Sequence, residues 1–499
     1  MNTDLFGNLG LGSTTIVSGF LTLIIIWTTW AIIYDAYFHP LSKFPGPVRG
    51  RFTRIPFWIS GITGTQIHYM HALHEKYGSV VRFCPGELSY TDPQAWKDIY
   101  GYAKGRPENP KAPGFHLEVG TTPSMMVAPF DAHARARHVF SPGFSDRALK
   151  QQEPLFRKYT ELMMSKLEAL DGQPVDVTVM NNLATFDIMA ELTFGEPLGL
   201  LENSKYTDWV KGCIEAIKVM PFVQIIQYYP FLTKLCGLLE PKWISEGGKA
   251  HLKYTSDRVD KRLEGGSNQP DLWNLVQNEN SDEQLSLGEI HANALVFMLA
   301  GTETTATLLT SLLFLLLVNP AKLDALKIEI RSQAELTRDF TFETLASLKY
   351  LNACIQEALR IYPPVPVGIP RSIASHVNGG QMVCGQWLPS GTRASVHPYA
   401  SSHLTANFKD PELFVPERWL GDETYRDDNR DVSQPFSFGP RNCLGQNMAW
   451  HEMRMILGTL MAKFDVELCA ESRTWGNNRK AYTIWKKIPL MVRLTPVDH

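Results

Sequence analysis

The sequence contains no Asn-x-Ser/Thr acceptor, no Cys-x-x-Cys pair and no repeated unit. Without a glycosylation acceptor, nothing places the body of the chain in a glycosylating lumen. The 7 cysteines, Cys84, Cys213, Cys236, Cys354, Cys384, Cys443 and Cys469, are odd in number and scattered, which argues against a disulfide framework or a zinc cluster and fits a reducing compartment. No sign of charge dominates: the net charge of -3 on 499 residues gives no bias toward nucleic acid or a strongly acidic surface. With 44% hydrophobic residues, the chain can bury a large core.

Charge is missing altogether between Asp4 and Asp35, where Thr14 to Tyr34 reads TTIVSGFLTLIIIWTTWAIIY. Roughly 20 apolar residues span a bilayer. Only Asp4 precedes the run, whereas Lys43, Arg49, Arg51 and Arg54 follow it, so the positive-inside tendency puts the large C-terminal part in the cytosol. A cleaved signal peptide fits less well, because there is no basic leading region and no small-residue cleavage site after the run. Next comes HPLSKFPGPVRG, where Pro40, Pro45 and Pro47 cannot extend a helix and stiffen a short connector. The expected division is an anchor over 1–38, a proline-rich connector over 39–50 and a catalytic body over 51–499.

Helical periodicity dominates from Asp146 to Arg262, and strand-like runs such as SVVRF at 79–83 and the segment Gly385 to Val396 are few. The polar stretch from Glu264 to Glu283 reads as a loop between helices. The longest helix signal opens on a capping box through Ser286 and Glu289 and stops at Asn319-Pro320. At about 1.5 Å per residue it makes a rod of roughly 50 Å. Its second half, TATLLTSLLFLLLV, is apolar enough to suggest a second membrane span. A buried core helix is the better reading, because the uncharged part is short and the first half carries His291, Asn293 and Glu303. The predicted fold class is mainly α with a small β portion (α+β) behind one N-terminal transmembrane helix.

One cysteine has unusual neighbours. Pro435 to Gly445 reads PFSFGPRNCLG. A lone cysteine is ordinarily a buried structural thiol, and such a thiol needs none of these residues. A metal-bound thiolate needs all of them: backbone N–H groups turned toward sulfur lower its basicity, and Gly439 and Gly445 allow positive φ or close approach of a flat cofactor. Arg441 can reach an anionic cofactor group, Phe436 can pack on a planar ring, and the helix after Gly445 points its positive end at the sulfur.

The run FSFGPRNCLG from Phe436 to Gly445 resembles the haem-binding signature of the cytochrome P450 family, Phe-x-x-Gly-x-Arg-x-Cys-x-Gly, at every defined position. The resemblance implies haem b with Cys443 as axial ligand. Three further family motifs precede it in the right order. AGTETT, Ala300 to Thr305, is similar to the oxygen-activation segment; there Gly301 removes bulk where a cofactor or substrate approaches, and Thr304 can bond back to the carbonyl of Ala300, bending or opening the helix. Glu303 adds an acid beside Thr304, and the resemblance implies that the two carry protons. Glu357 and Arg360 in EALR look like the family's Glu-x-x-Arg, which joins the arginine of PERW, here Arg418, in a buried network supporting the cysteine loop. Arg371 matches the family's propionate-binding arginine. In HARARHVFSPGF, Arg137 fills the arginine position of the usual Trp-x-x-x-Arg, while His133 stands where tryptophan is commonest, and imidazole can also donate to a carboxylate.

The resemblance covers essentially the whole chain. It implies a membrane-anchored monooxygenase that inserts one atom of O2 into a hydrophobic small molecule, by hydroxylation, epoxidation or multistep oxidation. FVPERWL and NMAWHEMRMIL are especially similar to microsomal fungal members of secondary metabolism, including the group resembling trichothecene hydroxylases. No flavin-binding segment is evident, so the expected electron donors are a separate NADPH-cytochrome P450 reductase and cytochrome b5, with the protein single-pass in the endoplasmic reticulum membrane. Two other readings use the same haem: an isomerase or dehydratase working without O2, and a membrane-anchored haem sensor or carrier. Neither explains why a threonine and an acid stand together at the open coordination site. Expected pocket walls include Phe115 to Met126, the Asn203 to Leu239 region, Ala294, Phe297 and Met298, Val365 to Ile369 and Tyr482 to Ile484, largely apolar as lipophilic ligands require.

Overall fold

Helix α1, Asn8–Ile33, is apolar on every side of its described part and leaves Ile16, Leu23, Trp27 and Trp30 exposed. A helix of that composition finds its partner in lipid. The segment Thr15–Phe38 has a hydropathy of 2.1 and is long enough to cross a bilayer, and the chain is membrane-anchored through it. The computed structural model describes residues 8–115, 122–239, 242–265, 271–273, 284–336, 340–375, 379–477 and 479–497. Most of the expected loop between Glu264 and Glu283 lies outside the described residues.

The connector is not a free spacer. Leu41 and Phe44 are fully buried, and a Cβ on Gly46 would lie 2.1 Å from the Arg82 carbonyl oxygen. Even the foot of the anchor is tied in: Arg82 donates to the Asp35 carbonyl at 2.7 Å and Arg51 to the Ala36 carbonyl at 3.3 Å. Packing therefore brings the body's edge to about Asp35, upstream of the expected boundary at 38. Deleting residues 1–38 takes an acceptor from the fully buried Arg82, at a cost of about 1–3 kcal/mol. Deleting 1–33 spares it. Both truncated proteins are expected to fold, with the longer deletion showing the lower urea midpoint; equal midpoints would contradict the packing argument.

The core of the body is built on helices. In chain order, α2 is Phe130–Phe140, α3 Asp146–Glu168, α4 Val177–Phe194, α5 Asp208–Tyr228, α6 Leu287–Leu317, α7 Lys349–Ile361 and α8 Gln446–Lys463. Helix α4 is buried along nearly its whole length because it lacks an amphipathic pattern. The Asp176 side chain accepts the Thr178 N–H at its start, and Gly195 takes φ 68° at its end. It packs along α6, whose first turn carries the expected capping box of Ser286 and Glu289. The apolar second half of α6 is buried in protein, so the run that could pass for a second span is a core helix. Helix α6 stays α-helical through Gly301–Thr305, and the expected opening at Thr304 does not occur. The Thr304 hydroxyl donates to the Ala300 carbonyl within the continuous helix.

Strands β1 (Val80–Cys84), β2 (Glu87–Tyr90), β3 (Arg371–Ser372) and β4 (Arg393–Val396) form a sheet in the order β1-β2-β4-β3, parallel between β2 and β4 and antiparallel elsewhere. Its edge strand β3 positions Arg371. The Met491–Pro496 strand pairs with both Val175–Asp176 and Phe464–Leu468, drawing the C-terminal segment onto the start of α4.

Candidate active site

The loop before α8 is held by its own backbone. The Cys443 N–H donates to the Phe436 carbonyl at 2.9 Å and the Asn442 N–H to the Gly439 carbonyl at 3.0 Å. Gly439 has φ +78°, and a Cβ there would lie 2.0 Å from the Tyr100 carbonyl oxygen, so this position admits only glycine. At Gly445 a Cβ would meet nothing nearer than Met448 at 3.7 Å.

Burial pushes the Cys443 thiol up, while the Gly445 N–H and the Arg137 charge pull it back. Yet Cys443 remains exposed: it faces a gap inside the fold rather than packed side chains. Ala300 is likewise exposed in the middle of α6, between buried Met298 and Thr302.

The charges around the gap fit an anionic cofactor. Arg441 pairs with Glu108 and donates to the Ala128 carbonyl at 2.8 Å; Arg371 approaches the same Glu108 oxygen at 3.3 Å, lies over the Tyr100 ring and leaves its buried Nε without a partner. Lys111, bridged to Arg371 through the backbone, has its ammonium pushed down to about 7 by burial and by the Arg371 and Arg441 charges, against the pull of Glu108. His133 is buried, and burial with Arg441, Arg137, Lys111 and Arg371 holds its imidazole at about 3, so it is neutral. Lys111, Arg371 and Arg441 thus gather around Glu108, a surplus of positive charge that two carboxylates would neutralise. The residues present fit haem.

Several expected site residues play roles other than direct contact. Arg137 donates to the Asn442 carbonyl at 2.8 Å and to its side-chain oxygen at 2.6 Å, bracing the cysteine loop. At Gly301 the missing side chain faces Met189 of α4, whose sulfur would lie 2.7 Å from a Cβ, so the close helix crossing also favours glycine there. Phe436 is partly buried against the main core. Thr304 donates to the Ala300 carbonyl at 2.6 Å, as its spacing predicts, and faces the same side as Ala300. Glu303 is buried and pairs with Lys487 at 2.8 Å. Of the expected pocket walls, Phe297 packs edge-on against Phe140, with centroids 4.8 Å apart, and Ala294 and Met298 are also core residues. Residues 116–121 lie outside the described residues.

Behind the loop, Glu357 anchors a fully buried network. Arg360 bonds it at 2.8 and 2.9 Å, Arg418 at 3.0 Å, the Trp419 indole at 2.9 Å and the Val415 N–H at 3.0 Å. Asp428 supplies the second carboxylate, on Arg418. Sequence reasoning missed Glu108, Lys111 and Lys487, since each stands outside a motif and acquires its surroundings only through the fold.

The family profile described as Cytochrome P450 matches residues 45–493. Among curated proteins, the chain is 44% identical to Cytochrome P450 monooxygenase FUM2 of Gibberella moniliformis, over 93% of this chain and 99% of that one. It is 41% identical to Cytochrome P450 monooxygenase efuB of Hormonema carpetanum, over 97% of each chain. A third relative, Averantin hydroxylase of Dothistroma septosporum, is 36% identical over 97% of this chain and 91% of that one.

Proposed function

Because the chain belongs to the cytochrome P450 family, and is therefore a haem-thiolate monooxygenase supplied with electrons by a redox partner and acting on a hydrophobic molecule, we propose that Cys443 is its axial ligand and that Glu303 and Thr304 form its proton path. Haem with an axial thiolate supplies the activation of O2, the sulfur's electron density favouring O–O cleavage. The cation cluster of Arg371, Arg441 and Lys111 receives the propionates, with neutral His133 as a further donor. Arg137 and the Glu357 network keep the cysteine loop in place. The single observation that carries the reading is the exposed Cys443 thiol in a loop braced by Arg137, with Arg371 and Arg441 buried on Glu108 nearby in the same fold.

The residues of α6 then have one task, which is to hand protons across an apolar pocket that excludes bulk water. While it donates to the Ala300 carbonyl, the Thr304 hydroxyl keeps both lone pairs free to accept from a water or a bound oxygen donor. Glu303, one residue earlier, links that point to the buried polar groups behind the helix. Replacing Thr304 with alanine is expected to leave haem content and substrate binding unchanged. Product per NADPH should fall about 10²-fold, the lower part of the range for positioned proton transfer, while hydrogen peroxide rises. Serine should be milder. Unchanged coupling in Thr304→Ala would reduce Thr304 to a helix residue and overturn the proton path.

The full-length similarity to fungal monooxygenases, one of them named a hydroxylase, supports a lipophilic secondary metabolite as substrate. An anchor followed by Lys43, Arg49, Arg51 and Arg54 supports a cytosolic body at the endoplasmic reticulum membrane, served by NADPH-cytochrome P450 reductase with cytochrome b5 as an auxiliary donor. Substrate-induced Soret shifts, read from purified protein against metabolite extracts, would identify the molecule.

A further inference from the structure

Glu303 does not face an apolar wall on its far side. Its Oε2 lies 2.8 Å from Nζ of Lys487, and the two side chains are 3% and 13% exposed. Lys487 also donates to Oδ1 of Asn182 on α4, whose amide donates to the Tyr206 hydroxyl at 3.0 Å. The C-terminal segment that carries the lysine is fixed on both sides. The Trp485 indole donates to the Pro363 carbonyl at 2.8 Å, the Thr178 hydroxyl to the Ile488 carbonyl at 2.9 Å, and the Leu490 N–H to Asp176 at 3.0 Å. The ammonium is therefore delivered to Glu303 by a backbone segment tied down at Trp485, Ile488 and Leu490.

A buried ion pair is a poor way to gain stability. Desolvating both charges offsets most of their attraction, and apolar replacements are often neutral or better. This one stands one residue from Thr304. Beyond the ion pair, neither Glu303 oxygen has a hydrogen-bond partner among the described residues, so Oε1 is available to a water.

We propose that Lys487 is the positioning residue for Glu303, holding Oε2 of the carboxylate through the ion pair and leaving Oε1 turned to a water that links it with Thr304. The inference rests on the reading of Glu303 as part of the proton path, and the test separates the two.

In full-length haem-loaded protein, Lys487→Met is expected to lower product per NADPH about 10-fold, approaching the range of a lost proton-transfer group, with substrate-induced spectral binding unchanged. Lys487→Arg restores the charge and most of the coupling. Independently of turnover, thermal unfolding of Lys487→Met, Glu303→Gln and the double variant should show the double variant losing less than the two single losses combined, as a coupled pair requires. Should Lys487→Met fail to accumulate, Lys487→Gln and the double variant, which leaves no unpaired charge, carry the same comparison. Normal coupling in the methionine or glutamine variant, or an arginine variant no better than methionine, would overturn the proposal. Normal coupling in Glu303→Gln would instead remove Glu303 from the proton path, and Lys487 with it.

Discussion

Replacing Cys443 with histidine is expected to leave a folded protein that still takes up haem in part and no longer oxygenates its substrate. The fold should survive because Cys443 contributes little packing: its side chain faces the gap, and the loop is held by the backbone bond to Phe436 and by the Arg137 contacts to Asn442. Haem should persist because the cations that receive its carboxylates are unchanged. Activity should fall to background, because imidazole donates far less electron density than thiolate and O–O cleavage loses its driving push. Turnover with a reductase, measured beside haem content and melting temperature, checks the three parts together. Product formation near the native rate would mean that another residue holds the iron.

The second large effect falls on folding rather than chemistry. In Glu357→Ala, Arg360 and Arg418 lose their shared carboxylate while remaining 0% exposed. Breaking a buried pair by removing one partner typically costs about 3–5 kcal/mol, and here the Trp419 indole and the Val415 N–H lose acceptors as well. A domain with about 5–15 kcal/mol of stability cannot lose that much unnoticed. The expected result is a low yield of holoprotein and a urea midpoint far below the native one. Glu423→Ala, which removes an exposed carboxylate (85% exposed, 3.6 Å from Arg426), is the control and should stay within about 0.5 kcal/mol. A native-like midpoint in Glu357→Ala would show that the two guanidiniums are satisfied by the Ser402, Pro411, Leu413 and Lys409 carbonyls alone.

These two sites were legible in the sequence for a physical reason. The cysteine loop and the Glu357 network are built from residue types whose chemistry and short spacing already constrain them, and α6 announces itself through a capping box and a terminating proline. Gly301 was legible as a small-residue position but its helix-crossing contact was not, because periodicity does not say which neighbour a missing side chain would strike; that neighbour, Met189, lies on α4. The edge of the body was misplaced for a similar reason. Three prolines read as a spacer, while the contacts that tie the connector down come from Arg51 and Arg82, which the sequence gives no reason to pair with Asp35 and Ala36. Lys111, Glu108 and Lys487 belong to a third kind, isolated charges in unremarkable stretches whose burial and partners exist only once sheet, loop and C-terminal segment meet.

The most direct measurement is the absorption spectrum of the reduced, CO-bound protein, recorded for the native chain and for Cys443→His. Thiolate ligation by Cys443 predicts a strongly red-shifted Soret band in the native protein and an unshifted, imidazole-type band in the variant. An unshifted band in the folded native protein, or a red-shifted band that survives in Cys443→His, would contradict it.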